Sequence, residues 1–260
     1  MNRQQLLTVL SFLLIFALLY FGCDTKSQEQ QALEKSRAQN IELVNITKAK
    51  QDALKSLSGT ARAQIIQLEE QLSNASIDED KLEYLKSLAS IWYQEGEALI
   101  SSDYAFKIAE LDNSEEAWSI AGTSYAIAAQ REQEERFKKY AAQKSRASLE
   151  NAISINPQNV DHKVNLALSY VEAPSEENPM KGILMLLDLN KEYPDNTTVL
   201  LQLGRLAIQT NQLDKAKARL ISALEINPDL VQAHCLLYEV YTAQGNVPMA
   251  EQEKTLCDKK

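Results

Sequence analysis

Glycine is scarce in this chain, and what there is of it stands alone. Seven glycines occur among 260 residues, at Gly22, Gly59, Gly96, Gly122, Gly182, Gly204 and Gly245, and no two lie close together. Loops that cradle phosphate need clustered glycines so that backbone N–H groups can approach the anion, and that class of site is excluded. The six prolines are as sparse, and no stretch alternates apolar and polar residues as a half-buried strand would. These shortages point to a mostly helical protein. Only two histidines are present, His162 and His234, far apart and without a second ligand at metal spacing. His162 falls near the start of a helix, and His234 reads as a packing residue. With 27 basic against 36 acidic residues, the net charge of −9 argues against a general nucleic-acid binder, which would show a basic face. The carboxylates are scattered along polar faces, and no serine, histidine and acid can be grouped at catalytic spacing. The chain therefore reads as non-enzymatic, with no cofactor and no metal.

What is present begins with Leu6–Gly22, LLTVLSFLLIFALLYFG, which is uncharged and close to the length that spans a bilayer as a helix. Arg3 precedes it, and Asp24, Lys26 and Glu29 follow with mixed sign, so everything after Cys23 is expected outside the cytoplasm, on the periplasmic side. Three readings compete: an uncleaved membrane anchor, a lipoprotein signal cut before a lipidated Cys23, or a plain cleaved signal. Gly22-Cys23 resembles the end of a lipobox, while Tyr20 and Phe21 depart from the small and aliphatic residues such a box prefers. The first two readings both tether the rest of the chain to a membrane.

Residues 24–77 form a polar, helix-favouring region. Leu33, Ile41, Val44, Ala53 and Leu54 give a thin, irregular apolar stripe, and Ser58-Gly59-Thr60 interrupts it. Ile65, Leu68 and Leu72 then share one helical face. The region is either a stalk that self-associates through residues 27–73 or a pair of helices packed on the domain that follows. Asn74–Asp80 reads as an acidic linker, with Ser76 or Asp78 placed to cap the next helix.

The remainder, 78–260, is organised around Asn196–Pro228. Leu200, Leu203, Gly204 and Ala207 make one apolar stripe, and Ala216, Leu220 and Ala223 make the facing one. Asn211 suits the left-handed residue that ends a helix, the second helix opens near Asp214, and Pro228 stops it. Small residues at Gly204 and Ala216 allow the two axes to approach. Such a pair cannot bury its stripes alone. Leu237, Tyr241, Gly245 and Ala250 repeat the register downstream; Leu166-Ala167, Tyr170, Gly182, Leu186 and Pro194 repeat it upstream, with extra residues at 173–178 in the joint. Trp118, Ala121-Gly122 and Tyr125 open a further pair whose second half, Ser145, Leu149, Ala152 and Pro157, arrives late, so both of its helices should be longer. The charged run Gln130–Lys144 then reads as their exposed ends. Leu85, Leu88-Ala89, Trp92 and Gly96 mark a worn first half.

Pro194 and Pro228 are 34 residues apart, and this spacing with these residues resembles the tetratricopeptide repeat. The resemblance is clear over 114–157, 158–194, 195–228 and 229–258, and degenerate over 81–111. It implies an all-α solenoid of stacked antiparallel helix pairs whose first helices line a concave groove for a protein or peptide partner. Carried onto this chain, the groove positions are Ser119, Thr123, Val164, Leu168, Leu201, Arg205, Cys235 and Glu239. Only Arg205 among them is basic, so a clamp for a terminal carboxylate is not supported. Folding the last pair back about Gly245-Asn246 brings Cys235 and Cys257 to similar heights, where an oxidising compartment would permit a disulfide. In this register, however, Cys235 faces the groove while Cys257 takes a buried small-residue place, which favours two free thiols. Taken whole, the chain resembles tethered repeat proteins of the bacterial envelope, of the Bacteroidetes type. The expected function is a membrane-tethered scaffold for protein–protein contact, with a self-assembling structural envelope component as the alternative.

Overall fold

The computed structural model describes residues 46–175 and 177–259. The apolar segment Leu6–Gly22, Cys23 and the first part of the polar region lie outside the described residues. Among the described residues no helix is long and apolar enough to cross a membrane.

These residues form twelve helices and no strand: α1 Ile46–Ser56, α2 Gly59–Asn74, α3 Asp78–Gln94, α4 Ala98–Asp112, α5 Glu115–Arg131, α6 Glu135–Ile155, α7 Val160–Glu172, α8 Lys181–Glu192, α9 Thr197–Gln209, α10 Leu213–Ile226, α11 Val231–Ala243 and α12 Val247–Cys257. Short polar side chains start several of them. Ser58, Ser114, Asn159, Asn196 and Asn246 each accept a hydrogen bond from a backbone N–H of the first turn, satisfying a donor the helix leaves open. Left-handed residues end others: Asn113 at φ 50° after α4 and Asn211 at φ 56° after α9. The start of α3 departs from expectation. Ile77 occupies its cap position and makes no side-chain bond, so neither Ser76 nor Asp78 caps it; the three acids of its first turn, Asp78, Glu79 and Asp80, complement the helix dipole instead.

From α3 onward each helix packs on the next, in antiparallel pairs α3–α4, α5–α6, α7–α8, α9–α10 and α11–α12. The fold is an all-helical repeat solenoid. Its core is built from stripes read in the sequence: Leu203, Ala216, Leu220, Ala223 and Leu237 are all within 1 % of full burial. Two glycines show why small residues recur where axes cross. A Cβ at Gly204 would meet Leu220 Cδ2 at 2.9 Å, and one at Gly182 would meet the backbone nitrogen of Val171 at 2.6 Å. The pair α5–α6 is the long one, with 17 and 21 residues against 13 and 14 in α9–α10. Aromatic rings meet edge to face on both sides of α5, Tyr125 against Tyr140 of α6 at 6.1 Å and Trp118 against Phe106 of α4 at 5.4 Å between centroids.

The two polar helices pack on the repeats. Ile65 of α2 is fully buried with Leu85, Leu88, Trp92 and Tyr104, and Ala53, Leu54, Leu57, Leu68 and Leu72 close over the same cluster. Polar bonds complete the seam. Lys50 of α1 donates to Glu69 Oε1 at 2.8 Å and to the Tyr104 hydroxyl at 3.1 Å, while that hydroxyl donates to Glu69. Arg62 caps the open carbonyls at the end of α1, reaching Leu54 O at 2.7 Å and Lys55 O at 2.8 Å.

Candidate protein-binding face

The first helices of the pairs touch one another laterally, α5 with α7, α7 with α9 and α9 with α11, so they form a continuous face. Seven of the eight predicted groove residues keep some exposure, half-buried Cys235 among them. Arg205 and Glu239 are exposed, and Ser119, Thr123, Leu168 and Leu201 are half-buried. Thr123 spends its hydroxyl on its own helix, donating to Ser119 O at 2.9 Å. Leu168 and Leu201 share their apolar surface with the cores on either side.

Two positions depart from expectation. Val164 is 1 % exposed and belongs to the core with Ala167, Leu186, Leu189, Val199 and Leu203, so it cannot touch a partner. The turn of α7 that carries it packs against the next pair. Cys235 is not a free thiol: it is bonded to Cys257, with Cα atoms 4.7 Å apart. The register expectation assumed that α12 would sit on α11 as the inner helices sit on theirs. That helix buries only Ala250 and Glu253, too thin a stripe to dictate its rotation, and its last residue turns toward Cys235.

Glu253 is the carboxylate that sequence reasoning missed. It is 6 % exposed and lies 2.6 Å from His234 Nδ1, while His234 Nε2 lies 3.0 Å from Pro228 O. Both ring nitrogens thus face acceptors, and the histidine pins α12 to the joint before α11. His162 plays a comparable part. Its Nε2 lies 2.6 Å from Glu115 Oε1, and Asn159 and Asn156 donate to the same carboxylate at 2.7 and 2.9 Å. The donors Asn159, Asn156 and His162, in that order, hold the Glu115 carboxyl below its usual value. The two histidines therefore bind carboxylates of neighbouring helices, which no local spacing announces. Among the described residues no three His, Cys, Asp or Glu side chains gather at metal-binding distance.

One opening was not foreseen. α3 and α5 stand further apart than the later first helices, with Arg131 reaching across to Tyr93 at one end, and a cleft of about 560 Å³ lies between them, floored by α4. Tyr93 and Ile120 stand on its walls, 50 % and 51 % exposed. The only sequence signal was apolar residues off the core stripe, Ile120 and then Ile127 seven positions on, on the free side of α5.

Comparison with known proteins follows the same lines. Residues 185–237 match the tetratricopeptide repeat family. That stretch runs from α8 into α11 and holds the helix pair from which the register was read. Among solved structures, a similar one is YrrB, described as a TPR protein with an unusual peptide-binding site, at 19 % identity and a TM-score of 0.38, covering 76 % of this chain and 91 % of that one. MamA from Desulfovibrio magneticus RS-1 is similar at 14 % identity and a TM-score of 0.43, over 68 % of this chain and 92 % of its own. MamA from AMB-1 is similar at 17 % identity and a TM-score of 0.38, over 70 % and 92 %. No curated protein matches the chain significantly.

Proposed function

We propose that this protein is a non-catalytic scaffold that holds a partner polypeptide against the continuous face of first helices, close to a membrane and outside the cytoplasm. The observation that carries the reading is that face: half-exposed side chains of α5, α7, α9 and α11, side by side on a rigid helical frame. Tetratricopeptide repeats mediate protein–protein contact, and residues 185–237 match that family. The Cys235–Cys257 bond suits an oxidising compartment, which supports export past Leu6–Gly22. Tethering raises the effective concentration of a partner, so the face can work at modest intrinsic affinity. The proposal assigns the protein to a bacterial envelope, a reading that rests on the apolar segment and the repeat together. Self-assembly through residues 27–73 is the weaker reading, because Ala61 and Ile65 are already buried in the repeat domain.

In-cell crosslinking followed by identification of captured proteins tests the scaffold. Arg205→Glu, at an exposed position, is expected to reduce capture while leaving helix content unchanged; undiminished capture removes Arg205 from the site. Mass spectrometry of the purified chain tests the tether. Lipid on Cys23 or an intact Met1–Gly22 supports it, and an unmodified amino terminus downstream of Cys23 overturns it.

A further inference from the structure

The cleft between α3 and α5 deepens the protein-binding reading and rests on it. Its walls and floor supply Ala89 and Tyr93 from α3, Ala105 and Ile108 from α4, and Ala117 and Ile120 from α5. Half of Tyr93 and half of Ile120 stay in contact with water, an arrangement that costs free energy until something apolar covers them. The middle of the slot is thus apolar, and Lys86 is the cation on its wall.

Its ends are acidic. At one end stand Asp112 and Glu116; Asp112 accepts the Ser114 hydroxyl, and neither carboxylate bonds to a cation among the described residues. Beyond the other end, where α3 gives way to α4 and α5 runs out, sit Glu97 and Glu132. Burial raises both carboxyls above their usual value, and Glu97 and Glu134 raise Glu132 further, so negative charge is crowded there. Arg131 lies on the same side, where it donates to the Tyr93 hydroxyl at 3.3 Å and sits 5.2 Å from the ring centre; it keeps its positive charge, and the glutamates there outnumber it. An occupant with positive charge at its two ends and apolar side chains between them meets each feature with its complement. Nucleic acid and anionic lipid are repelled by the same ends, and a second copy of a chain of net charge −9 is disfavoured.

We propose that this cleft binds an extended segment of a partner polypeptide, with two or three apolar side chains seated between Tyr93 and Ile120 and lysine or arginine on both flanks. From Glu116 to Glu132 the α5 axis spans about 24 Å. An extended peptide covers that with about seven residues. The segment is therefore short, and the first repeat pair together with α5 contains the whole site.

The test uses the intact chain in mild detergent and fluorescein-labelled Lys-Lys-Leu-Phe-Leu-Lys-Lys, read by anisotropy, with Glu-Glu-Leu-Phe-Leu-Glu-Glu as the control. Saturable binding of the basic peptide and none of the acidic one is expected. Ile120→Ser should weaken binding about tenfold, the cost of about half an isoleucine side chain's burial. Glu116→Lys should weaken it too, and raised salt should do the same, with circular dichroism showing unchanged helix content in both variants. Equal binding of the two peptides, no binding of the basic one, or indifference to Ile120→Ser would overturn the proposal. Self-association of the intact chain that Ile120→Ser abolishes would overturn it as well, giving the cleft to a second copy. In-cell capture that responds to Arg205→Glu but not to Ile120→Ser would sink the cleft and leave the broader scaffold standing; capture of no polypeptide at all would sink both.

Discussion

Breaking the bond between Cys235 and Cys257 should loosen the last helix more than any single apolar substitution in it. The bond closes a loop of 22 residues. Loop-closure entropy for that length removes about 3.4 kcal/mol from the unfolded state's advantage. Little else anchors α12: its one buried apolar residue is Ala250, and its other buried residue, Glu253, is committed to His234. In a solenoid each pair contacts only its neighbours, so the loss should concentrate in α11–α12 rather than spread along the stack. Amide exchange in Val247–Cys257 should then accelerate by up to about 300-fold in a Cys235→Ser, Cys257→Ser double variant. To the extent that the domain melts as one unit, Tm should fall by about 7–14 °C. Hydrogen exchange of the two proteins with mass detection, alongside a calorimetric scan, makes the measurement. If exchange in α12 and the melting temperature are both unchanged, the thin apolar stripe holds the helix alone and the reasoning fails.

Gly182→Ala should cost about 1–3 kcal/mol, because the added methyl meets the backbone of α7 at Val171, which cannot step aside. Gly204→Ala meets the side chain of Leu220, at Cδ2 and Cγ, rather than backbone, and gains about 1 kcal/mol of helix propensity, so it should cost less than Gly182→Ala; urea midpoints that reverse this order would contradict the close-approach argument. Glu253→Ala leaves His234 Nδ1 without its partner and should cost about 1–3 kcal/mol, whereas replacing both residues by leucine should cost less than the single change, which a double-mutant cycle in urea will show. Acid should destabilise the protein through Glu115 and Glu69. Burial alone would raise Glu69, but Lys50 and Tyr104 outweigh it, and both carboxyls end below the ordinary value of 4.5. A group lowered in the folded state contributes stability above its unfolded pKa and loses it as pH falls through the folded one. Stability should therefore hold above pH 4.5 and decline below it, and Glu115→Gln should flatten that acid limb in unfolding curves measured at successive pH values.

The helical elements were legible because their signals are local. Core stripes three and four apart, Asn211 at a left-handed turn and proline after a stripe each act within one or two turns of backbone, and each reappears in α9, α10 and the joints around them. The late second half of the pair at Trp118 announced the longer α5 and α6 for the same reason. Val164 misled because its position in the helix is that of an outward residue, while the neighbouring pair that covers it lies dozens of residues further on. The cap of α3 misled in a smaller way, since Ser76 had the right chemistry but the chain entered the helix one residue too late for it.

Periodicity, scarce glycine and proline, and the repeat spacing determined by themselves that the chain builds stacked helix pairs. They could do so because the hydrophobic effect acts on every pair in the same way, so one pattern serves all of them. Tertiary structure alone decided where that repetition breaks: the bond between Cys235 and Cys257, the histidines locked to Glu115 and Glu253, and the cleft where α3 stands off from α5. Each of these depends on how one helix is rotated against another, and a few ångströms between distant residues are not encoded in any local spacing.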